Sequence, residues 1–365
     1  MRAKTSDAMF DIFKKWQKRN LSQEEALILL LLVAAALVLL ATVGDSLTPV
    51  MVAVVLAYLM QGLANQLRGW GLSAGFSVWI SSLAFTGLFF AFSLGLLPLV
   101  WRQLASLVKE LPAMVEQGRH MMSVLPEEYP SLISQQQIND VMGTVKAELA
   151  GFGQVVVTKG ISSIPGLLAI LVYMVLIPMM VIFFLKDQAL ITGWLTSFLP
   201  HDRPLLNHIW AELNRQIANY ARGKVIEIVI VGGVSYVVFK LFGLNYAALL
   251  GLLVGLSVIV PYIGATLVTI PVVAVAFFQW GLVPAFYWVS FAYLVIQALD
   301  GNVLVPLLFS EAVNLHPIAI IVAVLFFGGI WGVWGVFFAI PLATLVNAIV
   351  SAWPTVQAEA LSATE

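Results

Sequence analysis

The chain of 365 residues has a mean hydropathy of +0.97, with 61% hydrophobic and only 10% charged residues. Since soluble domains carry about 25% charged residues, this composition indicates an integral membrane protein whose main partner is the lipid bilayer. With a net charge of −1 and no long basic tract, nothing suggests nucleic-acid binding, and we expect no nucleic-acid partner. The absence of cysteine excludes disulfides and thiolate metal sites, and the four histidines lack metal-ligand spacing. We therefore expect no metal and no other cofactor.

Hydrophobic stretches long enough to cross a bilayer recur along the chain. A spanning helix needs about 20 mostly apolar residues. The stretches that qualify clearly are 26–43, 47–62, 76–100, 165–185 and 225–242. From 245 to 350 the chain is apolar but interrupted by Gly and Pro, which predicts one clear span at 282–298 between two broken segments. The sequence thus predicts an all-α polytopic membrane protein with about eight hydrophobic blocks.

The distribution of basic residues predicts the orientation of these spans. Lys and Arg are frequent between Arg2 and Arg19, whereas the turn after the first block holds only Asp45. The positive-inside rule therefore places the N-terminus in the cytoplasm, residues 101–164 outside, residues 186–224 inside and the C-terminus in the cytoplasm. Because a mixed-charge segment precedes the first block and no small-residue cleavage site follows it, we expect that block to remain as an anchor.

These features divide the chain into five parts. They are an N-terminal segment with three spans (1–100), an external amphipathic segment (101–164), a fourth span with a cytoplasmic amphipathic helix (165–224), a core with the broken segments (225–350) and a cytoplasmic tail (351–365). Apolar residues recur at helical spacing in both amphipathic stretches. The external stripe comprises Ile138, Val141, Val145, Leu149 and Phe152, and the internal one Leu205, Ile209, Leu213, Ile217 and Tyr220. Interfacial packing is the favoured interpretation, with a docking site for another protein as the alternative.

The two broken segments form an internal repeat. Residues 244–271 and 315–341 each begin with Leu and a polar residue, run apolar for about three turns, break at glycines and end in Ile-Pro. Paired, interrupted hydrophobic segments are typical of a transporter's substrate site, because unwound backbone in a membrane must be satisfied by protein or by a water-filled cavity. The alternative is that the glycines only allow close packing of helices.

Long motifs in this half of the chain also resemble a known family. The carrying stretches are "FGLNYAALLGLLVGLSVIVPYIGATLVTIPVV" (242–273), "IQALDGNVLVPLLF" (296–309) and "LHPIAIIVAVLFFGGIWGVWGVFFAIP" (315–341). They are similar to the autoinducer-2 exporter (AI-2E) family, and most closely to its PerM branch. The resemblance implies a bacterial inner-membrane protein that forms a homo-oligomer, with a pentamer as the expected arrangement, and exports small signalling molecules. Some relatives resemble sodium/proton antiporters.

Asp300 is the first candidate for a substrate or ion path. An ionisable residue beside membrane spans costs about 2.5 to 3.5 kcal/mol at a helix centre, so it normally faces a cavity or a partner. Gln297, one turn earlier, shares its helix face and favours a polar lining. The alternative is that Asp300 lies at the cytoplasmic end of the 282–298 span, where its side chain and that of Asn302 cap the backbone before Pro306. The residues leave both interpretations open.

Two further ionisable residues have a structural and a functional interpretation. Glu227 follows Lys224 by three residues at the start of the fifth predicted span, which favours an interfacial salt bridge over a role in a proton relay. His316 precedes Pro317, which favours a helix cap over a group that titrates near neutral pH.

Pro261, Tyr262 and Gly264 form the break of the first repeat and are the best candidates to line a cavity, since Pro withholds an N–H and Gly permits a turn. No serine elbow, phosphate-binding loop or nucleotide-binding domain is present, so we expect no enzyme activity and no ATP-driven transport. The sequence predicts a secondary transporter or exporter of a small-molecule substrate. The alternatives are a cation/proton antiporter and a membrane scaffold that recruits cell-envelope or division proteins.

Overall fold

The structure, a computed structural model, describes residues 42–122, 164–199, 204–261, 263–309 and 316–346, with isolated positions at 31–39 and 136–154. These residues contain helices and no strand, which confirms the all-α prediction. The helices are α1 (Thr48–Gly69), α2 (Ala74–Ala91), α3 (Leu97–Met122), α4 (Ile164–Lys186), α5 (Gln188–Thr196), α6 (Pro204–Leu241), α7 (Ala247–Ser257), α8 (Ile263–Trp280), α9 (Pro284–Leu299), α10 (Val305–Phe309) and α11 (Pro317–Phe337). The segments Phe92–Leu96 and Asp300–Leu304 are π-helical and join α2 to α3 and α9 to α10.

Five helices in the described part of the chain are long and apolar enough to cross a membrane. They are Thr48–Gly69, Ala74–Arg119, Ile263–Trp280, Pro284–Phe309 and Ile318–Phe337, and a sixth arises if Ile170–Lys186 and Gln188–Thr196, bent by 76°, count as one. The predicted blocks 47–62, 76–100, 165–185 and 282–298 all fall on these helices. The block 26–43 and the external stripe lie largely or wholly outside the described residues.

Two predictions about individual blocks need correction or refinement. The 282–298 span does not end before Asp300, because the helix continues through the π-helical segment to Phe309. The block 225–242 is the second half of α6, a helix that starts at Pro204 and also contains the predicted cytoplasmic helix. This half of α6 is less apolar than its neighbours because Lys224, Glu227 and Lys240 belong to it.

The chain separates into two compact units. The first consists of the described parts of Met1–Gly62, Phe183–Gly223 and Phe309–Glu365, and the second of those of Leu63–Ile182 and Lys224–Leu308. In the second unit, α7 packs against α3 and α8, and α8 packs against α9. Its core is apolar and fully buried, with Phe239, Leu250, Val272, Val289 and Tyr293 among its members.

Glycines allow α6 and α7 to cross at very short range in this unit. A Cβ atom on Gly255 would lie 2.7 Å from the carbonyl oxygen of Ile228 and 2.9 Å from the Cα atom of Gly232. A Cβ atom on Gly251 would lie 2.8 Å from that of Tyr236. Small residues at a crossing are how membrane helices bring their backbones into contact, so close packing is one role of the repeat's glycines.

Several aromatic side chains pack against one another within the first unit. The ring of Tyr220 lies 5.7 Å from that of Phe309 and 5.8 Å from that of Phe337, and the rings of Trp331 and Phe338 are stacked. Tyr220 belongs to the predicted internal stripe and is 2% exposed. Tyr220 therefore packs inside its own unit; Ile209 of the same stripe is also buried, whereas Leu213 and Ile217 are partly exposed.

Both broken segments double back as helical hairpins. In the first hairpin, a Cβ atom added to Gly264 would overlap the carbonyl oxygen of Ser257. In the second hairpin, a Cβ atom added to Gly335 would overlap the carbonyl oxygen of Phe327. Straight helices separate residues at these spacings by about 10 to 12 Å, so the chain turns between them. The second turn is at Gly332, whose φ of 58° and ψ of −136° suit glycine.

The first arm of each hairpin is shorter than a bilayer. At 1.5 Å per residue, α7 extends roughly 16 Å and residues 317–331 of α11 roughly 22 Å, against about 30 Å of hydrocarbon. Although α11 is long and apolar enough to cross when measured to Phe337, its turn at Gly332 divides it into two arms. The second arm of the first hairpin, α8, is longer than the prediction implied, because it continues past Pro271 to Trp280.

Candidate functional site

The break of the first hairpin lies between the end of α7 at Ser257 and the start of α8 at Ile263. Four backbone hydrogen bonds in and beside the break are local, including one from the N–H of Gly264 to the carbonyl oxygen of Val260 at 2.9 Å. Pro261 stands within this turn, as its missing N–H and fixed φ favour. Tyr262, the third predicted residue, lies outside the described residues. Because α7 ends here, carbonyl groups of its last turn need partners from elsewhere in the protein.

Lys224 supplies one of these partners. Its ammonium group donates a hydrogen bond of 2.9 Å to the carbonyl oxygen of Val258, in the break, and lies 2.7 Å from Oε2 of Glu227. The Lys224 and Glu227 side chains are 5% and 2% exposed. The salt bridge predicted from their spacing therefore forms, and it is buried within the protein. A buried pair that also satisfies a freed carbonyl is one way to stabilise unwound backbone at membrane depth.

Asp300 follows the last residue of α9 and opens the π-helical segment, through which the helical stretch continues to Phe309. The N–H of Val305 donates to its carbonyl oxygen, which is the wider turn of a π-helix. Asn302 donates from Nδ2 to the carbonyl oxygen of Ala298 at 2.8 Å, so Asn302 does cap the backbone as one interpretation supposed. Asp300 does not share that role, since its Oδ1 atom is buried without a hydrogen-bond partner. Single π-turns inside α-helices are frequent at functional sites.

Four polar side chains of the second unit belong together, and we call Lys224, Glu227, Gln297 and Asp300 the polar cluster. Lys224 interacts electrostatically with both carboxylates, and Glu227 with Asp300. Gln297 lies one turn before Asp300, and its Nε2 atom is also buried without a partner. The fold therefore unites residues that were considered separately in the sequence, and Lys224 connects them to the hairpin break.

The cluster has the chemistry of a proton, cation or polar-solute site. It holds two carboxylates and one ammonium group, with an amide donor beside them. Nothing in the described ranges brings three or more His, Asp or Glu side chains close enough to hold a metal ion. Ionisable groups kept inside a membrane protein mark substrate and ion pathways because their burial is costly.

His316 has a different role in the first unit. It is exposed, stands at the N-cap of α11, and its Nδ1 atom accepts a hydrogen bond of 3.2 Å from the N–H of Ile318. This geometry favours the structural interpretation, since a side-chain acceptor satisfies one of the orphan donors at a helix start.

Two glutamines that sequence reasoning missed hold the first hairpin from its other end. Gln279 accepts from the N–H of Asn245 at 2.7 Å and donates to the carbonyl oxygen of Gly243 at 2.8 Å. Gln103 accepts from the N–H of Leu249 at 2.8 Å. Gln279 is a polar residue in an apolar stretch, which is a weak sequence signal, whereas Gln103 follows Arg102 and carries no such signal. The partners of both are distant along the chain.

Comparison with known proteins identifies the family. The model of the AI-2E family transporters matches residues 27–355. The Escherichia coli (strain K12) protein named "Putative permease PerM" is 44% identical over 347 residues, which is 95% of this chain and 98% of that protein. Two Bacillus subtilis proteins, "Putative transport protein YueF" and "Putative transport protein YrrI", are each 25% identical. They align with 74% and 82% of this chain, and with 74% and 84% of their own lengths.

The match covers both hairpins, the π-helical segment and every member of the polar cluster. The described helices and the relatives' names agree on a multi-pass membrane protein of the transporter type. This chain therefore belongs to the AI-2E family of transporters.

Proposed function

We propose that this protein is a secondary transporter that exports a small solute across the bacterial inner membrane, and that the break of the first hairpin with the polar cluster forms its substrate path. An autoinducer-2-like signal is one candidate solute. The observation that carries the proposal is the buried Lys224 hydrogen bond to the carbonyl oxygen of Val258, at the interruption of an apolar hairpin. Interrupted helices beside buried charge are where secondary transporters bind their substrates.

The driving force follows from what the chain contains. Its sequence offers no phosphate-binding loop and no nucleotide-binding domain, so the energy comes from a concentration or ion gradient. Export also requires an orientation, and we retain the proposal that both termini are cytoplasmic and that 101–164 is external. A homo-oligomer, with five subunits as the family resemblance implies, completes the arrangement.

Flux in proteoliposomes tests this function. The full chain is reconstituted and loaded with a panel of radiolabelled small polar solutes, and the efflux of each is compared with that of Asp300→Asn. We expect at least one solute to leave faster than from empty liposomes, with the rate reduced at least tenfold in the variant. Asp187→Asn changes a carboxylate at the start of α5 and is the matched control, which we expect to keep full flux.

The same assay separates the two alternatives. A cation/proton antiporter is favoured by the two carboxylates of the polar cluster, and it would exchange sodium for protons without moving any organic solute. A scaffold for cell-envelope or division proteins would show no flux of any kind from correctly assembled protein. It would also tolerate Asp300→Asn in cells while being sensitive to substitutions in the amphipathic segments. Either result would contradict the export of a small solute.

A further inference from the structure

The polar cluster contains one more negative charge than positive charge. Glu227 and Asp300 are its two carboxylates and Lys224 is its ammonium group, while Gln297 is neutral. These are the charged groups that face Asp300 in the described structure. With both acids ionised the cluster carries a net charge of −1, in a part of the chain where apolar side chains predominate.

The geometry distributes that charge unequally between the acids. Lys224 lies 2.7 Å from Oε2 of Glu227 and donates a hydrogen bond to the carbonyl oxygen of Val258. Oε2 of Glu227, like Oδ1 of Asp300, has no hydrogen bond of good geometry, but the close ammonium group balances the charge of Glu227 in a pair that is only 2% to 5% exposed. Asp300 is half-buried, and its Oδ1 atom is shielded from solvent without a hydrogen bond. The unmatched charge of the cluster therefore resides on Asp300.

A carboxylate whose buried oxygen accepts no hydrogen bond is stabilised either when a cation binds to it or when it is protonated and becomes neutral. A proton needs less space than any other cation, because it forms one O–H bond to a carboxylate oxygen and displaces no neighbouring group. The cluster then becomes neutral. Release of the proton restores the carboxylate, which the orphaned Nε2 donor of Gln297, one turn away on the same face, is placed to meet after a rotamer change.

We propose that Asp300 is the proton-binding group of this transporter, and that the buried Lys224–Glu227 ion pair is a fixed structural element that keeps the hairpin break in place. The proposal rests on the proposed function, since it names the ion that the substrate path binds. It also assigns the two carboxylates different roles: Asp300 exchanges a proton, and Glu227 does not. The π-helical segment presents Asp300 to this site by widening the turn in which it stands.

Infrared difference spectroscopy of the reconstituted full chain tests the proton site without requiring a known solute. Spectra are recorded in buffers of about pH 6 and about pH 9, both above the range in which exposed carboxylates, with pKa values near 4, titrate. We expect a carbonyl-stretch band of a neutral carboxylic acid at the lower pH. Asp300→Asn should lose it, and Asp187→Asn should keep it.

Glu227 is tested with a paired substitution, because Glu227→Gln alone would leave a buried lysine without its partner and threaten folding. In Lys224→Met/Glu227→Gln, both charges of the pair are replaced together. We expect the band to persist in this variant, since Asp300 is intact. Loss of the band there with retention in Asp300→Asn would overturn the assignment, by making Glu227 the proton carrier.

A second result would also overturn it. If the wild-type protein showed no such band, and instead bound sodium in a way that Asp300→Asn abolished, the site would take a metal cation rather than a proton. The infrared result is independent of flux. A protein with the Asp300 band and no solute efflux would retain the proton site and refute the exporter function, and the reverse outcome would refute only the proton site.

Discussion

Lys224 gives the clearest case of one side chain with two structural tasks. Its ammonium group neutralises Glu227 at 2.7 Å and at the same time satisfies the carbonyl oxygen of Val258, in the break between α7 and α8. Burying charge is costly, and a buried pair is weak evidence of stability by itself. What the pair contributes is a defined position for the break, since removing the lysine would leave both an unpaired carboxylate and an unsatisfied carbonyl.

We expect Lys224→Met to lower the free energy of unfolding by about 3 to 5 kcal/mol, because the buried carboxylate of Glu227 loses its partner. The double variant Lys224→Met/Glu227→Gln should recover a large part of that loss, since no unpaired charge remains. Thermal unfolding in detergent, followed by tryptophan fluorescence, measures both. A double variant as unstable as the single one would mean that the Val258 hydrogen bond, and not the charge pair, dominates.

At the level of secondary-structure elements, the two hairpins share the same close contact between their arms. In each, a glycine of the second arm lies against a backbone carbonyl of the first arm, at a distance that no side chain tolerates. The pairs are Gly264 with Ser257 and Gly335 with Phe327. The repeat seen in the sequence is therefore a repeat of packing, and the close-packing and broken-helix interpretations of its glycines both apply.

We predict that Gly264→Ala and Gly335→Ala each destabilise the protein by about 1 to 3 kcal/mol, as overpacking does, and reduce flux per folded molecule at least tenfold. The added methyl group would meet a backbone oxygen, which cannot move aside as a flexible side chain can. Gly329→Ala is the matched control, because nothing lies within 4 Å of its added Cβ atom. Unfolding and efflux are measured on all three variants. Normal flux in Gly264→Ala and Gly335→Ala would show that transport does not require the close contact between the two arms of each hairpin.

Sequence reasoning located the hairpin breaks because their causes are local. Pro261, Gly264 and Gly332 impose or permit a turn through their own backbone chemistry, which can be recognised from the residue types alone. The salt bridge between Lys224 and Glu227 was predictable for the same reason, since three residues in a helix bring side chains together.

The remaining features of the site depend on contacts distant in sequence or on geometry without a sequence signal. The partner of Lys224 in the break is 34 residues away, and that of Gln103 is 146 residues away. The π-turn at Asp300 arises from an i to i+5 hydrogen bond, and no residue type specifies it. The span predicted at 282–298 is therefore shorter than the helical stretch Pro284–Phe309, although the polar residues at its predicted end do mark the irregular turn.

Across the part of the molecule that the structure describes, five or six helices are long enough to span a membrane, whereas the arm α7 is too short to do so. Their outward faces carry many large apolar side chains, among them Trp79, Leu83, Trp288 and Leu325, each more than half exposed. Such apolar faces are suited to contact with lipid. The short arm α7 of the first hairpin differs from them, because it is mostly buried by protein and ends at the polar cluster.

The most direct test of the central claim, that the first hairpin's break lines the solute path, is cysteine labelling at position 257. The natural chain has no cysteine, so Ser257→Cys introduces a single thiol. Trp288→Cys, at a 61% exposed apolar position of a spanning helix, is the lipid-facing control. The reagent is a charged, membrane-impermeant thiol label added to either side of proteoliposomes.

We predict that the thiol at position 257 reacts from at least one side, that the transported solute slows the reaction, and that the thiol at position 288 stays unlabelled from both sides. Water and solute reach a substrate path, whereas a charged reagent does not enter hydrocarbon. If position 257 stayed unlabelled from both sides in protein that transports a solute, the break would not line the path, and the solute would have to cross the protein elsewhere.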